Sequence, residues 1–388
     1  MWSGILDKIY RAKPYIPKSS RDWIMTQYRE ILDSGNLIQG KYVKSFESEV
    51  KSIVGVKNAV ATTSCGTGLE TVLIASEIRN KKFIVPTQTF AASVNCIIRS
   101  GNEPLIVDVD EVTQCLSLNI IKENFSDDIG GVVLVHMSGL ITPEMVEIET
   151  FCKDNNLFLL TDDAHAYGAN YYDVNVDKVR YAGSFGDAGV FSFYPTKIIT
   201  TAEGGMITTN NDELAEKCRV VRNHGTRRND GQHQGLDYGY TCEMPSTNYR
   251  MSEFNAVLGI SQNKHLDDFL IRRNDIADIY TDRLKNIKWL KTPLIDDYMY
   301  QSWWQYIVRI MSGRDRVKIL LELLNKHNIP TANAYQPLCH QQKIYSEFLS
   351  TKGFKNSEDF INKIFSLPMY VELKDEQVHY ICDCLESM

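Results

Sequence analysis

A chain of 388 residues exceeds what one hydrophobic core usually fills, so a large domain with a smaller companion is expected. An apolar share of 43% and a charged share of 23% exclude a disordered or fibrous protein. The net charge is −7 with lysine and arginine scattered singly, which excludes the basic footprint of a nucleic-acid binder.

The opening MWSGILDKIYRAKPY has too short an apolar stretch for a signal peptide, and no apolar run reaches the roughly 18 residues of a membrane span. No membrane partner and a cytoplasmic location are expected. Strand-like apolar runs then follow: AVATT (59–63), KFIVP (82–86), PLIVDVD (104–110), GVVLVHM (131–137), LFLLTD (157–162), GVFSF (189–193) and GMITT (205–209). Helix periodicity separates them, as in GLETVLIASEIRN (68–80) and in TPEMVEIETFCKDNN (142–156), where Thr142 is placed as N-cap before Pro143. Apolar strands alternating with helices predict a mostly parallel sheet covered on both faces, with ligands beyond the carboxyl ends of its strands. After residue 250 the texture changes to a long helix with a break or bend (SEFNAVLG to RLKN), a strand at 303–311, a helix in RDRVKILLELLNKHNI and a last helix at 374–386. The division is placed between a large domain, 1–255, and a small α/β domain, 256–388.

Four short stretches carry chemistry. TTSCGTGLE (62–70) leaves a strand and opens a helix, so its backbone amides and hydroxyls suit a phosphate; alone, the stretch is as well read as a capped turn. PTQTFAAS (86–93) places Phe90 just past a strand, a flat ring for a ligand or ordinary core packing. TDDAHAYGA (161–169) sets Asp162 and His165 at a strand end; two carboxylates and one histidine are too few for a metal, and the nine cysteines form neither CxxC nor zinc spacing, so no metal and reduced thiols are expected. FSFYPTKIITTAEGG (191–205) fences Lys197 between two strands. Such a lysine is either a solvated loop charge or, when desolvated, a nucleophile that forms a Schiff base with a carbonyl. A cofactor bearing an aldehyde, a phosphate and a pyridine nitrogen needs a lysine, a phosphate cradle, a carboxylate and a stacking ring, and each is present at a predicted strand end.

In these stretches, and in GDAGVFSFYPTK (186–197), EGGMITTNN (203–211), RNHG (222–225), NYRMSEFNAVLG (248–259) and SLPMY (366–370), the chain resembles the DegT/DnrJ/StrS sugar aminotransferases. These are fold type I enzymes dependent on pyridoxal 5′-phosphate (PLP). The resemblance implies that Lys197 forms the Schiff base and shuttles the proton, that Asp162 pairs with the pyridine nitrogen, and that His165, where many members have Gln, faces the 3′-oxygen. It implies further that Gly66, Thr67 and Ser192 hold the phosphate, that Phe90 stacks on the ring, and that Asn248 reaches the site of the neighbouring subunit in a homodimer. Thr161 stands where the family usually has Glu, and Cys65 interrupts a loop that often carries Ser or Asn. One branch of the family replaces the lysine by histidine and dehydrates sugars; Lys197 argues against that branch. His136 and His224 match family positions and are expected as structural or substrate contacts.

The implied reaction takes an amino group from L-glutamate to a keto group, the acceptor being a nucleotide-linked keto-deoxysugar for surface glycans or a small phosphorylated or unlinked ketone. Acceptor choice is assigned to Tyr15–Arg21, Asn229–Gly239 and AYQPLCHQ (334–341). Two rivals remain at this stage: a PLP lyase using Cys339, and a non-catalytic PLP-binding regulator.

Overall fold

The computed structural model describes residues 7–228, 239–293, 297–311, 313–332 and 335–388. Of the loops assigned to acceptor choice, 229–238 and Ala334 lie outside the described residues.

Each of the seven expected apolar runs forms a strand of one sheet: β1 Asn58–Thr62, β2 Lys82–Pro86, β3 Glu103–Val107, β4 Ile129–Val135, β5 Phe158–Asp162, β6 Ala188–Ser192 and β7 Gly205–Thr209. Their order across the sheet is β1-β7-β6-β5-β4-β2-β3. All neighbours from β6 to β3 are parallel, whereas β7 runs antiparallel to both β6 and β1. Val60, Phe83, Ile84, Val132, Val133, Leu160 and Val190 have no exposed surface, as both faces of a covered sheet require.

Helices cover the sheet, some through one apolar face and others, such as Cys65–Ala75, buried almost all round. In Lys41–Val54 the buried residues Tyr42, Val43, Phe46, Val50 and Val54 recur at helical spacing. The N-terminus of that helix is held by a remote carboxylate: Glu253 accepts from the amides of Gly40, Tyr42 and Val43, each at 2.9 Å. The expected long helix after residue 250 breaks at Lys264–His265 into Glu253–Asn263 and Leu266–Leu284. Thr142 is not an N-cap; the helix starts at Met145, and Thr142 instead accepts the Met145 amide through its carbonyl. The expected strand at 303–311 begins only at Tyr306, because Trp303 adopts a positive φ of 51° and turns the chain. A polar hairpin, Asn170–Asp173 with Lys178–Tyr181, is an addition that no apolar run announces.

The core around the large sheet takes in Ala256, Val257, Phe269 and Leu270. A second core begins at Ile276 and gathers Leu284, Tyr306, Phe365 and Val378, with Ile9 from the N-terminal segment. It is built around a three-stranded sheet of β8 Leu290–Lys291, β9 Tyr306–Ile310 and β10 Ile364–Leu367.

Candidate active site

The ends of β5 and β6 and the turn after β1 face one cavity of about 610 Å³, a size suited to a cofactor with part of a substrate. Gly66, Phe90, Asp162, His165, Ser192 and Lys197 line it. Thr67 and Asn248 do not line it in this chain.

At the start of helix Cys65–Ala75, Ser64 accepts the Thr67 amide at 3.2 Å while the Thr67 hydroxyl accepts the Ser64 amide at 3.1 Å, a reciprocal cap. Thr67 thus shapes the turn, and the amides of Cys65 and Gly66 are left without a hydrogen bond among the described residues. They are open donors at the positive end of the helix, where a bound anion would be favoured. Gly205 makes the turn possible, since a Cβ there would meet the Cys65 nitrogen at 2.6 Å.

Asp162 ends β5, 4% exposed, with each oxygen held. Ser93 Oγ donates to Oδ2 at 2.6 Å, the Ala164 amide donates to Oδ1 at 3.1 Å, and Cys65 Sγ lies 3.7 Å from Oδ1. Burial pushes this carboxyl up from its ordinary value against those donors and the charge of Lys197, and it has no ion-pair partner among the described residues. A buried carboxylate lacking a cation is suited to a cationic ligand atom. Its neighbour Asp163 is taken up by structure: Thr161 donates to it at 2.7 Å and the Gly183 amide at 3.1 Å, while His136 lies 3.5 Å away. Burial raises Asp163 to about 7 and lowers His136 to about 3, so His136 is a neutral core histidine.

Lys197 sits in the connection between β6 and β7, braced from several sides. Phe193 N–H donates to Gly204 and Thr201 N–H to Phe193; Asn255 Nδ2 donates to Glu203 O at 2.9 Å, and Trp304 Nε1 donates to Thr196 O at 2.9 Å. The amine lies 4.0 Å from the centre of the Trp304 ring, and desolvation brings it down to about 8, opposed by the neighbouring Cys65 and Asp162. A solvated loop charge would not show this depression; the geometry is that of an activated nucleophile.

His165 accepts the Ser138 amide at Nδ1 (3.3 Å), which leaves its one proton on Nε2 to be donated to Tyr335 Oη at 2.8 Å. Burial, aided by the Lys197 charge, holds the ring well below its ordinary value, so it stays neutral. Its face stacks on Trp304 at 3.7 Å. Tyr335, accepting from His165, keeps its own hydroxyl proton free to donate, and burial raises its phenol so that the proton is retained. Phe90 is 59% exposed, which rules out core packing, and it tilts against Tyr335 at 5.6 Å.

Asn248 is exposed, and its Oδ1 accepts the Arg250 amide at 3.1 Å. His224 is likewise exposed, with a φ of 61°. Cys339 is 3% exposed, its Sγ lies 3.4 Å from the Thr89 carbonyl, and burial raises its thiol to about 12. It is neither a thiolate nor on an open loop, which removes the support for a lyase nucleophile. Four contributors were not singled out by the sequence: Ser93 and Tyr335, which lie inside the quoted stretches PTQTFAAS and AYQPLCHQ, and Trp304 and Arg11, which lie outside every stretch assigned to chemistry or acceptor choice. The last three lie far from the strand-end motifs in sequence: Arg11 is in the N-terminal segment, and Trp304 and Tyr335 pack against the small cluster of Cys115 and Met137.

The residues fit a PLP-type group on this chemistry: open amides at a helix start, a buried carboxylate without a cationic partner, a depressed lysine and an exposed ring. A sequence model described as the DegT/DnrJ/EryC1/StrS aminotransferase family matches residues 19–386. The spore coat polysaccharide biosynthesis protein SpsC of Bacillus subtilis is 33% identical, covering 92% of each chain. GDP-perosamine synthase of Escherichia coli O157:H7 is 30% identical over 90% of each. Among solved structures, Helicobacter pylori PseC, an aminotransferase involved in the biosynthesis of pseudoaminic acid, superposes with a TM-score of 0.88 at 26% identity, covering 98% of this chain and 99% of its own.

Proposed function

We propose, for a chain that belongs to the DegT/DnrJ/EryC1/StrS aminotransferase family, that the acceptor is a nucleotide-linked keto-deoxysugar and the donor L-glutamate, in the making of surface glycans. The family is PLP-dependent and the fold is that of its fold type I enzymes. The names of relatives that act on GDP- and UDP-linked sugars support the acceptor class. The single observation that carries the reading is the pair Lys197 and Asp162 at strand ends of one cavity: desolvation lowers the lysine, while Ser93 and the Ala164 amide hold the buried carboxylate against the upward push of burial.

When bound, PLP supplies an aldehyde that captures amines and a ring that withdraws electrons from the attached carbon. Lys197 Nζ, neutral in an appreciable fraction near pH 8, takes the proton from the donor carbon and returns it during exchange. Asp162 holds the proton of the ring nitrogen, with Ser93 and Ala164 fixing its oxygens. The Cys65 and Gly66 amides, with Ser192, receive the phosphate; Thr67 supports them through the cap. Phe90 covers a ring face. His165 Nε2–H orients the Tyr335 hydroxyl, and together they would serve the oxygen substituent of the ring. Trp304 excludes water from the amine.

In the same reading the enzyme is a cytoplasmic homodimer in which Asn248 reaches its partner's phosphate. The exposure of Asn248 away from its own cavity supports the dimer. Nine free cysteines support the reducing compartment, and among the described residues no helix is long and apolar enough to cross a membrane. The reading also divides the chain into 1–255 bearing the cofactor and 256–388 closing the cavity, with helix Glu253–Asn263 crossing that boundary and packing on the large core. A small phosphorylated or unlinked ketone is the second acceptor reading.

The test is the visible spectrum of the protein with PLP before and after L-glutamate, run alongside Lys197→Ala. A yellow band that fades with glutamate in the wild type alone is expected. The same response without Lys197 would overturn the assignment.

A further inference from the structure

We propose that Arg11 is the anion receptor of this site and holds a carboxylate of the amino donor. Among the described residues lining the cavity, the only cationic side chains are Lys197 and Arg11, while Asp162 and Glu203 are acidic. If Lys197 is committed to the cofactor and the phosphate rests on helix amides, a dianionic donor entering this cavity meets two carboxylates and one unclaimed cation. That cation is Arg11. A guanidinium binds a carboxylate with two parallel hydrogen bonds and remains charged throughout the working pH range.

The backbone of Arg11 is fixed and its head is free. Met369 N–H donates to the Arg11 carbonyl at 3.2 Å, Gln377 Nε2 donates to the Asp7 carbonyl at 2.9 Å, and Lys13 pairs with Glu372 at 2.5 Å. Ile9 is buried in the second core. The segment is thus strapped to the small body on both sides of Arg11. The guanidinium itself has no hydrogen bond or ion pair among the described residues. It borders a narrow recess beside the cavity, with Thr196, Trp304 and Gln305 forming walls of both. Gln305 Oε1, in that wall, is buried without a partner and is available to a donor group such as the ammonium of an amino acid. A fixed backbone, an unengaged fork and an adjoining orphan acceptor describe a receptor that loses little freedom on binding.

This inference rests on the transaminase reading, and its test does not require turnover. The probe is glutarate, which has the donor's two carboxylates and no amine, titrated by calorimetry into the PLP-loaded enzyme. Wild type is expected to bind it, Arg11→Gln to bind about tenfold more weakly or worse, and Arg11→Lys to fall between, keeping charge but not the fork. The cofactor band should be the same in all three, showing that the variants are folded and loaded. Equal glutarate binding in wild type and Arg11→Gln would overturn the proposal. So would pyrophosphate, rather than glutarate, losing its binding in the variant, an outcome that moves Arg11 to the acceptor's phosphates. A wild type that binds glutarate but whose band ignores glutamate would leave Arg11 an anion receptor and remove the donor assignment of the proposed function instead.

Discussion

Ser93 Oγ lies 2.6 Å from Oδ2 of Asp162 and 2.7 Å from Thr89 Oγ1, so the carboxylate that faces the cavity is the end of a relay from Thr89 through Ser93. Because Asp162 is already raised by burial, this short bond is a main force keeping it ionised. Ser93→Ala removes a hydrogen bond to a charged group, an effect of about 1.5–3 kcal/mol. The expected result is a donor half-reaction slowed by about tenfold or more with cofactor still bound, read by single-turnover absorbance.

Lys197 sets a pH dependence of its own. Capture of PLP by cofactor-free protein needs the neutral amine, and desolvation places its midpoint at about 8. The capture rate should climb about tenfold per pH unit below that point and level off above it, whereas an ordinary lysine would keep climbing toward about 10.4. Stopped-flow absorbance across pH 6 to 10 distinguishes the two on the order of a hundredfold.

Asp163 and His136 shape stability in opposite senses. Asp163, raised in the fold to about 7, binds its proton more tightly folded than unfolded, so its contribution is full at acid pH and is lost as pH rises from about 4 to about 7. His136, lowered to about 3, must charge on acid unfolding, so its contribution grows as pH rises from about 3 to about 6.5. The slopes oppose each other in the wild type. In His136→Gln, stability should fall with pH between about 4 and 7; in Asp163→Asn it should rise between about 3 and 6.5. Urea midpoints at several pH values check both.

Gly205→Ala drives a methyl into the Ser64–Cys65 turn, where the contact is backbone and cannot swing aside. A destabilisation of about 1–3 kcal/mol is expected, together with weakened PLP binding, because the helix start must shift. Urea unfolding and PLP titration measure the two separately.

If Asn248 serves the neighbouring site, two defective variants should complement each other. Mixed dimers of Lys197→Ala and Asn248→Ala contain one site with both native residues. After random mixing, activity should approach about a quarter of wild type, where separate sites would give no recovery. The two parents, assayed alone, set the baseline.

The sheet was legible because each of its strands is a short run of apolar residues between helices, and burial on both faces leaves no alternative for such runs. The hairpin Asn170–Tyr181 was not, since NYYD and KVRY are polar and half-exposed and are defined by pairing with each other and, for Asn170 and Tyr171, with the distant Met299–Tyr300. Trp303 and Trp304 read as strand by composition; what turns them is a hydrogen bond from the Trp304 amide to the Ser138 carbonyl, a contact no local pattern encodes. The site divided along the same line. Asp162, His165, Ser192 and Lys197 stand at strand ends, where topology alone makes a side chain available to ligands. Arg11 and Tyr335 enter from separate segments, and Ser93 looked like any small helical residue until its hydroxyl was seen against Asp162.

The antiparallel pairing of β6 with β7 places Ser192 opposite Gly205, so both ends of the segment carrying Lys197 are pinned at a single register. Surface loops of this protein can lengthen at little thermodynamic penalty. A residue inserted between 193 and 204 has nowhere to go except into a bulge beneath Trp304 or a slip of β7, and a slip would turn every core-facing side chain of that strand to the other face. The length of this segment is therefore as much a part of the site as the identity of its lysine, and a library of single-residue insertions should find it among the least forgiving stretches of the chain.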